Sequence, residues 1–374
     1  MIPPKRTITM NLRDARSDDA QRIWPLPMWG HPASMLVMPL FISTAGSLIP
    51  IGTAFAVGAG LGFVMSATHN ISEAIRAEGR YERELSSDSL PAEMSLNNVG
   101  LSVLHHVPNE KGGIDLNFLP LGSIEGAPPT DVVIGFAKLP EGTPSLSLPL
   151  SFAIPAKGET VWSVGYHDFR FPDGGIPIAE IQAGTFDWNS YGHTFLVVEA
   201  QVQAAFSARL AKGFVDGPCF AFDETIPHGL SGGPVISEDG RLIGINSAGA
   251  EIFFNRPMSV ASMLYPLALT PVRFGADMGP IKINVRRRLI DLIGQGIIRT
   301  DGTEERLAFT VEDGMTSIMA GVIPETVTVY EDLAGYQSGL PARLLEDEHY
   351  VFKRTTSADD TAGDAAAEER PGGV

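Results

Sequence analysis

Residues 227–249 are "PHGLSGGPVISEDGRLIGINSAG", a glycine-rich segment around one serine, followed by two apolar runs. The runs at 232–237 and 241–249 flank the polar turn 238–240, and this pattern predicts two paired strands. Glycines on both sides of Ser231 are typical of a tight turn, and they are also typical of a nucleophile whose backbone passes close to other segments. The rest of the chain decides between these two interpretations.

Short apolar runs bounded by turn residues recur along most of the chain. They lie at 34–43, 49–58, 61–69, 130–139, 159–167, 179–188 and 193–202. The 40 glycines and 28 prolines add many turn signals. Together these features predict an all-β sandwich or barrel rather than a helical fold. Two helices are expected beside the strands, at 259–269 and 285–295.

The charge of the chain excludes some classes of partner. Its formal charge is −17, from 27 Lys+Arg against 44 Asp+Glu. This excess of negative charge opposes nonspecific nucleic-acid binding and association with anionic membranes. The basic cluster 286–288 borders apolar residues, so we expect it on the solvated side of an element. A single cysteine, Cys219, allows no intrachain disulfide and fits a reducing compartment.

Residues 23–72 contain no Asp, Glu, Lys or Arg, which a hydropathy scan would take for a membrane span. Pro39, Pro50 and several glycines would interrupt any helix there, so buried strands joined by turns explain the run better. The segment before it has basic residues but no apolar stretch of the kind that a secretory signal has. We therefore expect a cytoplasmic protein.

A serine that attacks an acyl carbon needs a base, an acid that orients the base, and N–H donors for the developing oxyanion. Gly229 and Ser231 are placed to supply two such N–H donors. Gly232 and Gly233 allow the backbone to pass close behind the hydroxyl. The segment therefore has the local features of an oxyanion hole beside a nucleophile.

Three segments in the right order resemble the chymotrypsin-like serine proteases. "GLSGGPVISEDGRLIGINSAG" resembles the nucleophile region of that family, "FVMSATHNI" its histidine motif and "DVVIGFAKL" its acid motif. The resemblance implies His69 as base, Asp131 as orienting acid and Ser231 as nucleophile. The chain order His, Asp, Ser agrees with this family. Over roughly residues 33–270, the resemblance implies two six-stranded antiparallel Greek-key barrels.

Other residues compete for the roles of base and acid. The competing histidines are His105, His106, His167 and His228. None of them follows a strand motif as His69 does. Asp115 begins a less complete strand pattern than Asp131 and stays open as the alternative acid. No set of His, Cys and Asp residues has metal-ligand spacing, so neither a metal nor a cofactor is expected.

The resemblance also implies supporting residues. Ser247, in "GINSAG", falls where the family has a hydroxyl that supports the buried acid. Leu230 stands where zymogen-type members have an Asp that pairs with a newly cut N-terminal amine. We therefore expect the oxyanion hole of Gly229 and Ser231 to form without N-terminal cleavage.

The substrate cleft follows from the same resemblance. The expected cleft residues are Thr225, His228, Asn246, Ala248 and Gly249. Thr225 takes the position at the base of the primary pocket and offers no acid to Lys or Arg, so we expect a small or apolar P1 side chain. Asp223, eight residues before the serine, is similar to an Asp of the bacterial high-temperature-requirement proteases.

Four segments are expected along the chain: an N-terminal segment 1–32, a trypsin-like protease domain 33–270, a C-terminal extension 271–354 and a disordered tail 355–374. The extension has about the length of the PDZ domain that bacterial relatives carry, but it has no convincing carboxylate-binding loop. It is expected to serve a regulatory partner or an oligomer.

The function expected from these features is that of a serine endopeptidase acting on protein or peptide substrates through an acyl-enzyme. One alternative is a catalytically silent, protease-like binding module, against which the presence of all three triad residues argues. The other is an esterase-type hydrolase, which the two-barrel pattern disfavours.

Overall fold

The computed structural model describes most of the chain. The described residues are 12–18, 20–27, 31–44, 46–58, 62–77, 99–109, 113–126, 129–139, 147–278, 281–312, 315–321, 327–342 and 349–354. The first strand and helix are β1 (Ile23–Pro25) and α1 (Pro32–Leu36). The expected disordered tail, 355–374, lies outside the described residues.

Six antiparallel strands close the first barrel. They are β2 (Val37–Ser43), β3 (Ser47–Val57), β4 (Phe63–Ser66), β5 (Gly100–Pro108), β6 (Ile114–Gly126) and β7 (Val133–Ala137). Their order is β2-β5-β6-β7-β4-β3, and β3 pairs again with β2. Helix α2 (Thr68–Ala77) follows β4. Within the charge-free run, β2, β3 and β4 are strands of this barrel, and no described helix is both long and apolar enough to cross a membrane.

Six further antiparallel strands close the second barrel. They are β8 (Thr160–Arg170), β10 (Gly192–Phe206), β13 (Cys219–Phe222), β14 (Pro234–Ser237), β15 (Leu242–Gly249) and β16 (Ser259–Met263), in the order β10-β13-β16-β15-β14-β8 with β8 returning to β10. The smaller elements between them are β9 (Ile176–Pro177), α3 (Ile178–Ala183), β11 (Arg209–Ala211), β12 (Val215–Asp216) and α4 (Glu251–Phe254). The prediction of an all-β fold with two six-stranded barrels is confirmed.

The elements beyond the barrels are β17 (Pro271–Met278), β18 (Ile281–Arg288), α5 (Leu289–Gly294), β19 (Leu307–Glu312), β20 (Met315–Gly321), β21 (Val329–Tyr330), α6 (Leu333–Gln337) and β22 (His349–Arg354). β17 and β18 form a hairpin beside β6 and β7 of the first barrel. β19, β20 and β22 form a separate three-stranded sheet. β21 pairs in parallel with β10, so the extension is joined to the sheet of the second barrel.

Three predictions of local structure were wrong. The helix expected at 259–269 is strand β16 followed by a 3-10 turn, and the helix expected at 285–295 is helical only in α5. The strand expected at 179–188 is largely helix α3. The residues of β16 are all buried, and the strand lies between β13 and β15. The prediction failed there because a short, fully buried run has no hydrophobic periodicity by which a strand can be told from a helix.

Candidate active site

His69 and Asp131 meet at one end of the first barrel. His69 is the second residue of α2, which follows β4, and Asp131 precedes β7. Since β4 and β7 pair with Ser66 opposite Val133, the two loops lie side by side. The Asp131 Oδ2 lies 2.8 Å from the His69 Nδ1, and the Oδ1 accepts the His69 backbone N–H at 2.9 Å. Both carboxylate oxygens therefore fix the orientation of the imidazole.

The surroundings of His69 make it a stronger base than a free histidine. Burial works against the charged imidazolium. The hydrogen bond that His69 donates to Asp131, and the negative charges of Asp131 and Glu73, outweigh this and raise the pKa of His69 above its ordinary value. With the Nδ1 side facing Asp131, the Nε2 is the nitrogen left for proton transfer.

Ser247, on β15 of the second barrel, contacts both the acid and the serine loop. Its hydroxyl donates to the Asp131 Oδ2, and its carbonyl accepts the Ser231 hydroxyl at 3.5 Å. Among the described residues no hydrogen bond joins Ser231 to His69 in this structure. Ser247 thus links the acid of the first barrel to the serine of the second barrel.

The main chain around Ser231 is hydrogen-bonded to residues of the first barrel and of helix α2. The Ser231 carbonyl accepts the Thr53 N–H at 2.9 Å and the Asn70 Nδ2 at 3.1 Å. At Gly232, with φ of +83°, a Cβ would stand 2.3 Å from the Thr53 carbonyl oxygen. Only glycine allows this approach. Thr53 and Asn70, which carried no recognised sequence signal, therefore set the position of the nucleophile loop.

The backbone turns sharply at Gly229, where φ is +100° and a Cβ would stand 2.6 Å from the Tyr166 carbonyl oxygen. Within the described part of the chain, the N–H groups of Gly229 and Ser231 donate to no protein acceptor. By contrast, the intervening Leu230 N–H bonds the Pro227 carbonyl at 3.3 Å. No acceptor among the described residues therefore competes for the two N–H groups beside the Ser231 hydroxyl.

Comparison with known proteins adds a likeness of fold. The structure is similar to Deg5 (16% identity, 62% of this chain and 84% of that chain, TM-score 0.37). It is similar to the active form of the Rv3671c protease from M. tuberculosis (15% identity, 65% and 85%, TM-score 0.38) and to the MamO protease domain from Magnetospirillum magneticum (17% identity, 61% and 92%, TM-score 0.35). No protein-family model and no curated sequence matches the chain.

The fold is the chymotrypsin-like double barrel. Within this double barrel, His69 and Asp131 come from the first barrel, and Ser231, Gly229 and Ser247 come from the second. Leu230, where zymogen-type members of the fold have an Asp, is fully buried in the apolar core.

The expected cleft residues of the double barrel differ in exposure. His228 and Gly249 are exposed, and Thr225 and Ala248 are partly buried. Asn246 departs from the expectation, because its side chain is fully buried. It accepts the Ser163 hydroxyl at 2.8 Å and donates to the Leu230 carbonyl at 3.3 Å. Its side chain therefore braces the nucleophile loop instead of lining an accessible surface.

Three of the rival residues, Asp115, His105 and His106, lie elsewhere in the double barrel. Asp115 is on β6 and accepts the Asn109 Nδ2 at 3.0 Å. His105 and His106 are buried in β5. Among the described residues no group of three or more His, Cys, Asp or Glu side chains could hold a metal ion.

The Asp223 side chain bonds the N-terminal segment and strand β10. Its Oδ1 accepts the Arg22 Nη2 at 2.6 Å and the Gln201 N–H at 2.7 Å. Arg22 directly precedes β1, which pairs with β10 of the second barrel. Asp223 therefore anchors the N-terminal segment to the second barrel.

Proposed function

We propose that the protein is a serine endopeptidase that cleaves protein or peptide substrates through a Ser231-His69-Asp131 triad. The observation that carries this proposal is the placement of one carboxylate, one imidazole and one serine across the two barrels. Asp131 bonds His69 with both oxygens, and Ser247 bonds Asp131 as well as the Ser231 hydroxyl. Two free N–H groups beside the serine complete the set of groups that acyl transfer needs.

In the proposed reaction the Ser231 hydroxyl leaves the Ser247 carbonyl, which it contacts at 3.5 Å, and turns about its side-chain torsion towards His69. The Ser231 Oγ attacks the substrate carbonyl carbon while the His69 Nε2 takes the hydroxyl proton. The carbonyl oxygen becomes an oxyanion, which the N–H groups of Gly229 and Ser231 bind. His69 then passes the proton to the leaving amine, and the C–N bond breaks to form the acyl-enzyme.

In the second half of the proposed reaction, water attacks the acyl carbon. His69 takes a proton from that water, the ester bond to Ser231 breaks, and the proton returns to the serine oxygen. Asp131 stabilises the imidazolium that forms in each half. The raised pKa of His69 agrees with this role, since the charged form is favoured beside Asp131.

The experiment that tests this proposal is covalent labelling with a fluorophosphonate–rhodamine probe. We expect stoichiometric labelling of the wild-type chain and none in Ser231→Ala, because the probe reacts with an activated serine. Ser190→Ala is the matched control, since Ser190 is exposed and, within the described part of the chain, bonds only the Asp187 carbonyl. Labelling that persists in Ser231→Ala, or its absence from the wild-type chain, would contradict the proposal. The second of these results would favour a protease-like binding module.

The substrate preference is a proposal as well. Thr225, at the expected base of the primary pocket, brings no carboxylate into it, and Ala248 presents a methyl group at the wall. We propose that P1 side chains are small or apolar. Cleavage of a peptide library followed by mass spectrometry should enrich such residues at P1, and enrichment of Lys or Arg would reject the assignment. Hydrolysis of esters without any peptide cleavage would favour the esterase alternative.

A further inference from the structure

Four consecutive carbonyl oxygens of the nucleophile loop, those of residues 228 to 231, are each held by a side chain from another segment. The donors, in that order, are His167 Nδ1 at 3.0 Å, Thr53 Oγ1 at 2.8 Å, Asn246 Nδ2 at 3.3 Å and Asn70 Nδ2 at 3.1 Å. A trans peptide group is planar, and its C=O and N–H point in opposite directions. A side chain that fixes a carbonyl therefore also fixes the direction of the next N–H.

This relation matters for two peptide planes. The His228 carbonyl shares a plane with the Gly229 N–H, and the Leu230 carbonyl shares a plane with the Ser231 N–H. The second plane is held twice, because the Leu230 carbonyl accepts the Gly233 N–H at 2.9 Å in addition to the Asn246 amide. For the first plane, the described residues provide one donor to the carbonyl, the His167 ring.

The peptide plane between His228 and Gly229, whose carbonyl has this one donor, is also next to a glycine, the residue with the greatest backbone freedom. Gly229 adopts φ of +100°, and glycine reaches positive and negative φ with similar ease. Its own conformational preference therefore does little to hold the Gly229 N–H in one direction. His167 lies within strand β8, three residues before its end, and pairs with Thr194 of β10, so its ring is presented from a strand of the second barrel.

We propose that His167 is a positioning residue for the oxyanion hole: its Nδ1–H holds the His228 carbonyl outward and so directs the Gly229 N–H towards the substrate oxygen. This inference rests on the proposed function. A carbonyl oxygen only accepts, so the bond requires a proton on Nδ1. His167 touches neither the substrate nor the reacting atoms, and it acts only through this peptide plane.

The test compares three variants in the full chain: His167→Ala, His167→Asn and His167→Gln. The Asn amide nitrogen occupies nearly the place of Nδ1 and keeps the donor, whereas the Gln amide reaches nearer to Nε2. Asp173→Ala is the surface control on the turn after β8. The measurements are p-nitrophenyl acetate hydrolysis, the rate of fluorophosphonate labelling, and the thermal midpoint of each variant.

In His167→Ala and His167→Gln we expect kcat and the labelling rate to fall about 10- to 100-fold, with KM within about twofold. Removal of a whole oxyanion donor lowers kcat by about 100- to 1,000-fold, because the donor stabilises the transition state and not the bound ground state. His167→Asn should recover most of the rate. If the Ala variant does not fold, the comparison of Asn with Gln decides the matter.

Equal rates in all three variants and the wild-type chain would overturn the positioning role and leave the proposed function intact. The same conclusion follows if rates fall only in proportion to the thermal midpoint, or if Asn and Gln are equally impaired. A wild-type chain that does not react with the probe would overturn the proposed function itself. The two failures are therefore distinguishable.

Discussion

At the scale of single residues, the serine loop depends on glycines that face other chain segments. Gly229 and Gly240 both have positive φ, of +100° and +83°. A Cβ at Gly229 would collide with the Tyr166 carbonyl oxygen, whereas a Cβ at Gly240 would meet nothing within 4 Å. Alanine substitutions at Gly229 and Gly240 therefore distinguish the effect of a left-handed backbone from the effect of a steric collision.

We expect Gly229→Ala to slow fluorophosphonate labelling by about 100-fold or more, because relieving the collision moves an oxyanion donor. Gly240→Ala should lower stability by about 1–2 kcal/mol through left-handed backbone strain and leave the labelling rate unchanged. Labelling kinetics and urea unfolding of both variants provide the measurements. An equal loss of labelling in both would show that general loop strain, not the oxyanion position, is responsible.

Short local patterns predict Gly229, Ser231, His69 and Asp131 as candidate site residues. They could not predict Thr53, since this residue is 176 positions from its carbonyl partner in Gly229. A threonine in an apolar strand carries no local sign of the loop that it holds.

At the scale of elements, the extension is joined to the second barrel by β21. Ala205 and Phe206 of β10 pair with Val329 and Tyr330. Val329 is fully buried, and Tyr336 of α6 packs edge-on against Tyr330 with ring centroids 5.1 Å apart. The sequence predicted residues 271–354 as a C-terminal extension. Its strand β21 and helix α6 cover an edge of the second barrel.

Val329→Asp should therefore destabilise the whole protein, by about 3 kcal/mol or more, because it places a carboxylate in an apolar core without a partner. Val311→Asp is the matched control, since Val311 on β19 is 72% exposed and the same change there should cost less than about 1 kcal/mol. Denaturant unfolding of the full chain measures both. Equal stability of the two variants would mean that β21 contributes little to the fold.

At the scale of the whole molecule, buried histidines lie where the two barrels meet. His106 on β5 of the first barrel packs near Tyr166 and His193 of the second, with ring centroids 6.4 and 5.9 Å away. Burial, with repulsion from a neighbouring histidine, lowers the pKa of His106 to about 4 and that of His193 to about 3. Both rings are therefore neutral in the folded protein near pH 7.

The sign of the pH dependence follows from these pKa values. In the unfolded chain a histidine binds a proton below about pH 6.5, while the folded protein takes up that proton only near pH 3 to 4. The unfolded state thus binds more protons on acidification, and stability falls as the pH drops from 7 to 5. Each such histidine contributes a loss of about 2 kcal/mol at pH 5.

We expect His106→Gln to reduce the loss of unfolding free energy between pH 7 and pH 5 by about this amount, whatever its stability at pH 7. Urea unfolding at the two pH values measures the difference. His228→Gln, at an exposed histidine on the second barrel, serves as the control. An unchanged difference in His106→Gln would show that the acid sensitivity arises from other groups.

The sequence by itself determined the all-β fold and the candidate triad, since both depend on short-range information. Turn residues between apolar runs indicate strands, and the residues flanking His69, Asp131 and Ser231 identify those positions locally. Only the tertiary structure decided which side chains hydrogen-bond the serine loop. Thr53, Asn70, His167 and Asn246 meet the serine loop because two closed barrels bring distant strands together, and hydrogen bonds between such strands depend on distances in space that no local pattern encodes.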